Sequence, residues 1–157
     1  MSDRLDRGPL RLPKVRRWTV YGVSLACWLT GVLWLVFHYF LRTEGKFGFK
    51  AHPLEVWWLK SHGIIAYWTV WVFGMLWVVH ILRGWNANWQ RWSGGFITGF
   101  AFVLTITGLG LYYISSQTFR EWTSLTHWIL GLASIAAFFI HWLSKGQPKR
   151  PKESSNA

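Results

Sequence analysis

The sequence predicts an all-α protein, an integral membrane bundle of four helices, and three observations carry that expectation. Apolar residues make up 52% of the 157-residue chain and are gathered into long blocks separated by short basic stretches. Four such blocks, at about residues 18–41, 56–82, 95–115 and 122–144, each reach the ~20 residues needed to span hydrocarbon. Fourteen tryptophans, many of them flanking the blocks (Trp18, Trp57, Trp58, Trp85, Trp89, Trp92, Trp122 and Trp142), read as aromatic belts. An indole ring prefers the boundary where its face meets lipid and its N–H meets headgroups.

The elements follow in order. Residues 1–17 are polar, basic and proline-containing, and are expected to form a mobile arm. Residues 18–145 form the transmembrane domain, and residues 146–157 a second polar tail. The first connection, residues 42–55, contains Gly45, Gly48 and Pro53 and is expected to be irregular. The second, residues 83–94, is short and rich in Trp and Asn; the third, residues 116–121, is little more than a turn. No internal repeat and no low-complexity tract is apparent in the sequence.

Charge sets the expected orientation. The chain carries a net charge of +11, yet its charges avoid the apolar blocks and no nucleic-acid-binding module is present. With both termini on one side, twelve of the seventeen lysines and arginines lie on that side and five on the other. The positive-inside rule then places both termini in the cytoplasm. Cys27 is the only cysteine, so neither an internal disulfide nor a thiolate cluster is available. The apolar stretch runs well past it, and no cleaved signal is expected.

The six histidines carry the chemistry. Ionisable side chains at membrane depth are costly and mark functional sites. His62 and His80 lie eighteen residues apart in the second block, on one helical face and ~27 Å apart in rise. His127 and His141 lie fourteen apart in the fourth block, within ~40° of one face and ~21 Å apart. The two blocks run in the same direction, so His62 is expected level with His127, and His80 with His141. One imidazole above and one below suits a six-coordinate haem iron, and the two levels suit two haems. The four-residue difference in spacing leaves a mismatch of ~6 Å, and His38 is the alternative outer ligand. Ala66, Gly74, Gly131, Ser134 and Ala137 leave room between these histidines. Arg83 and Lys145 are placed for the propionates of the inner haem, Lys60 and Arg120 for those of the outer one. His52 and Glu55 form a candidate quinone site, where an acid beside an imidazole could take a quinol's protons; the plainer reading is a cap for the second helix.

The ordered set His52-Pro53-Leu54-Glu55, Ser61-His62-Gly63, His80 with Arg83-Gly84-Trp85, Ser93-Gly94, the run Thr107 to Tyr113, and His127 to Leu132 with His141 resembles bacterial haem-b membrane cytochromes. It is similar to the cytochrome b561 type, to the cytochrome b subunits of formate dehydrogenases and nickel–iron hydrogenases, and most to the small domain family DUF4405. The resemblance implies two non-covalent haems b per chain and electron transfer with a quinone pool in the bacterial inner membrane. It also implies a redox partner on the outer face, a c-type cytochrome or an iron–sulfur protein. The formate dehydrogenase type takes one cytoplasm-side ligand from its first helix; that end holds no histidine here, and His80 takes its place. No Cys-x-x-Cys-His run exists for covalent attachment. Two other classes stay open: a haem-free membrane anchor or assembly subunit with the histidines as glue, and a metal-ion transporter with them as ligands.

Overall fold

The computed structural model describes residues 12–45, 48–86 and 91–144. Its architecture is all-α, with helices α1 (Lys14–Tyr39), α2 (Pro53–Leu76), α3 (Leu82–Asn86), α4 (Arg91–Tyr113) and α5 (Gln117–Leu143). A π-helical turn, Trp77–Ile81, joins α2 to α3 without a break, so these three pieces form one span from Pro53 to Asn86. The four resulting helices are each long and apolar enough to cross a membrane. Large apolar side chains face outward along all of them, with Trp18, Trp57, Trp92 and Trp122 each more than 60% exposed. Such a surface is stable against lipid and not against water. The chain is a multi-pass membrane protein.

The helices begin earlier than hydropathy alone predicts. Pro13 sits at the N-cap of α1 with its carbonyl accepting from Arg17 N–H at 3.0 Å. Its fixed φ suits a helix start, and the lysine and arginines that follow are good helix formers, so residues 14–17 are helical. In α5 the polar first turn is held by Gln117 Nε2 donating to Glu121 Oε1 at 3.1 Å. The first connection is not irregular. Thr43–Gly45 (β1) pairs antiparallel with Gly48–Lys50 (β2), Thr43 opposite Lys50. Gly48 has φ +109°, a backbone state that favours glycine. The glycines read as breakers are the corners of a hairpin.

Packing follows two antiparallel pairs, α1 along α2 and α4 along α5. The pairs touch at two edges. Tyr21 of α1 meets Phe138 of α5 edge-on at 5.5 Å, and Phe73 of α2 meets Phe102 of α4 at 5.5 Å. The cyclic order is therefore α1, α2, α4, α5, with α2 and α5 on a diagonal. Phe73 is eleven residues past His62 and Phe138 eleven past His127. Each pair thus places a phenylalanine at the same spacing past a histidine, in contact with the other pair. Among the described residues only Val72 and Thr30 are buried, at 3% and 8% exposure. No continuous apolar core runs through the described residues.

Candidate functional site

The diagonal helices bring four histidines together in two pairs. The rings of His62 and His127 have centroids 6.2 Å apart, with their planes at 83°. Those of His80 and His141 are 6.5 Å apart at 88°. The first pair lies toward the β-hairpin end of the bundle and the second toward the end where α1 begins. A transition metal holds an imidazole nitrogen at ~2 Å, and with a ring radius of ~1 Å two imidazoles on one metal have centroids ~6 Å apart. Both observed separations have that size.

Each ring is set by the neighbouring antiparallel helix. His62 Nδ1 lies 3.0 Å from the Cys27 carbonyl and 3.3 Å from Thr30 Oγ1. A carbonyl only accepts, so Nδ1 carries the proton. His127 Nδ1 lies 2.9 Å from Thr107 Oγ1, whose own proton goes to the Val103 carbonyl at 2.7 Å. Here too Nδ1–H donates. In both rings Nε2 therefore keeps its lone pair, the arrangement by which outer groups fix a metal-binding imidazole. Ser93 Oγ bonds His141 Nδ1 at 3.0 Å. His80 has no hydrogen-bond partner among the described residues; its place is set by the π turn, which the Leu82 N–H closes onto the Trp77 carbonyl.

Glycines complete the seats. A Cβ on Gly31 would lie 3.1 Å from His62 Cε1, and one on Gly108 3.3 Å from His127 Cε1. At Gly94 the corresponding distance to His141 Cε1 is 3.8 Å. The same dipeptide, a hydroxyl residue followed by glycine, thus recurs as Thr30-Gly31, Ser93-Gly94 and Thr107-Gly108. These three dipeptides lie on α1 and α4, not on the histidine helices, and spacing along a histidine helix does not point to them. The signal that could have found them is the spacing of Ser93-Gly94 from Thr107-Gly108, fourteen residues, equal to that of His141 from His127.

The π turn takes up part of the mismatch of spacing. It takes up one extra residue in a helix, or ~1.5 Å of rise, leaving ~4.5 Å of the ~6 Å surplus to the relative tilt of α2 and α5.

Other candidates fall elsewhere. His38 is not beside His127. Its Nδ1 pairs with Glu55 Oε1 at 2.7 Å, and its ring stacks on Trp34 at 4.8 Å. His52 does not pair with Glu55; it caps α2, its Nδ1 accepting from Leu54 N–H at 3.1 Å. Lys60 is exposed and lies over the Trp57 ring at 5.2 Å. Arg83 and Arg120 are exposed. Lys145 lies outside the described residues. Arg91 donates to the Trp85 carbonyl at 2.8 Å, beside an open cleft of about 630 Å³ lined by Trp92, Phe96 and Phe100.

The donor set limits what these pairs can hold. Among the described residues no three His, Cys, Asp or Glu side chains converge on one point. A bare zinc ion takes four ligands, three or more from protein, and each level offers two nitrogens. Two axial nitrogens suffice for a metal that brings its own ring of equatorial donors. The Trp28 and Trp58 indole N–H groups, each within about a turn of the His62 level, are buried without partners. They offer donors to oxygen atoms of a bound group. No family profile, no curated protein and no solved structure matches the chain.

Proposed function

We propose that this chain is a di-haem b-type cytochrome subunit that passes electrons between a quinone pool and a redox partner, a c-type cytochrome or an iron–sulfur protein. The observation that supports it most is the paired imidazoles, 6.2 and 6.5 Å apart between centroids at two levels of one bundle. Bound haem supplies a one-electron couple whose potential depends on axial ligands, their hydrogen bonds and burial. The chain does the rest. His62 with His127, and His80 with His141, fix the two positions, while Thr30, Thr107 and Ser93 orient the rings. The apolar span excludes water. Lys60, Arg120, Arg83 and Lys145 stand as basic groups for the propionates. On charge, both termini lie in the cytoplasm of a bacterial cell and the β-hairpin outside.

A pyridine haemochrome assay on the purified protein tests the reading, with two haems per chain expected. Imidazole planes near perpendicular should also give a strongly anisotropic low-spin electron paramagnetic resonance signal at both levels. A ratio near zero defeats the proposal and leaves a haem-free membrane anchor. A reporter active only outside the cytoplasm should be silent after Ala157 and active when inserted between Gly45 and Gly48; the reverse overturns the orientation.

A further inference from the structure

We propose that His38 and Glu55, with Arg42 beside them, form a proton-accepting site for a hydroquinone-class donor at the β-hairpin end of the bundle. The proposal deepens the cytochrome reading and rests on it.

Glu55 Oε1 accepts from His38 Nδ1–H at 2.7 Å, a short, charge-assisted bond. That fixes the tautomer and leaves Nε2 with its lone pair. Arg42 agrees with this assignment, since its guanidinium only donates and its Nη2 lies 3.4 Å from Nε2. Arg42 is held in turn by its Nε, which donates to the His38 carbonyl at 2.7 Å. The carboxylate is locked. Its side chain is 13% exposed, and Oε2 is buried without a partner among the described residues. The imidazole is 31% exposed. A sealed carboxylate behind a reachable imidazole is the arrangement that orients a base and stabilises its protonated form. Trp34, stacked on the ring with planes 16° apart, extends the site as an aromatic surface.

Position joins this site to the histidine pairs. Glu55 precedes His62 by seven residues on α2, and His38 follows Gly31 by seven on α1. Seven residues are close to two turns, so the dyad lies on the same helix faces as the His62 seat, ~10 Å further out. No structural cap requires that alignment, and a donor of electrons and protons does.

The chemistry balances. A hydroquinone becomes a quinone by losing two protons and two electrons. The first proton goes to His38 Nε2 and on to water at the exposed edge, and the second follows the same path. With haem held by His62 and His127 and by His80 and His141, the two electrons would pass to the two ferric haems, one each. The cation of Arg42 favours the hydroxyl as its oxygen gains negative charge.

The test is stopped-flow reduction of the purified, haem-loaded protein by menadiol, with dithionite spectra as the control for loading. His38→Ala should slow reduction by ~10²-fold or more while keeping both haems, and added imidazole should restore part of the rate. Isothermal titration of menadione into the oxidised protein should show binding that His38→Ala weakens. If His38→Ala loses haem, His38→Gln takes its place. Reduction of a fully loaded variant at the wild-type rate overturns the dyad and leaves the cytochrome reading intact, as does a loaded wild type that menadiol does not reduce. A protein without haem overturns both.

Discussion

The two histidine levels are built to different standards of rigidity. At the β-hairpin end, His62 and His127 are each held twice, by a hydrogen bond at Nδ1 and by a glycine pressed to the ring edge. At the opposite end only His141 has a hydroxyl partner, its glycine stands further off, and His80 rides on a π turn. The first level is fixed by its surroundings; the second has one ring carried on a helix defect. Preorganisation of this kind narrows the range of ligand geometry a site can adopt, so the two levels should respond differently to the same kind of change.

The largest expected effect is loss of a whole level. His127→Ala should reduce the haem content from two to one per chain and delete one spectral component. His141→Ala should delete the other. If both variants removed the same component, the pairing of levels would be wrong. Next comes the π turn. Inserting one alanine before Trp77 adds a residue that the turn does not take up and should rotate the residues beyond it by ~100°, carrying His80 off its face. Haem titration should then show the His80–His141 component lost and the His62–His127 component kept. An unchanged second component would mean that the turn has no positioning role.

Smaller effects test the seats themselves. Gly31→Ala places a methyl 3.1 Å from the His62 ring, whereas Gly94→Ala leaves 3.8 Å to His141. Overpacking of this kind costs ~1–3 kcal/mol, so the first variant should melt several degrees lower in detergent and the second close to wild type. Smallest is Thr107→Val. It removes the acceptor of the His127 Nδ1–H and with it some basicity of the ring. A neutral hydrogen bond contributes ~1 kcal/mol, and ~1.4 kcal/mol corresponds to ~59 mV for one electron. Potentiometry should show the hairpin-end component rise by tens of millivolts while the other stays in place.

Much of this was legible in the chain. Length and apolarity gave the four spans, because a lipid-facing helix has to be apolar all round. Periodicity gave the two levels, because eighteen and fourteen residues each return nearly to the same helix face. Glycine misled where it was treated only as punctuation. Gly45 and Gly48 turn a β-hairpin, and Gly31, Gly94 and Gly108 are places where another helix's imidazole comes close. A close approach between helices is a tertiary fact, and spacing within one helix does not contain it. The π turn was hidden for a related reason: Trp77 to Ile81 carry no breaker, and the turn takes up part of a length surplus relative to α5. Glu55 was singled out with the wrong imidazole, since His52, three residues away in sequence, is taken up as the helix cap.

The repeated pairing of helices also says how such a chain could have arisen. α1 with α2 supplies one imidazole to each level, and α4 with α5 supplies the other. Neither half can complete a level alone. A half-length ancestor would have needed a second copy, related by a two-fold axis along the membrane normal, and duplication with fusion would join the two copies in one polypeptide. The two halves differ in one respect: one has fourteen residues between its histidines, and the other eighteen and a π turn. Co-expressing residues 1–88 and 89–157 as separate chains would ask whether the halves still recognise each other.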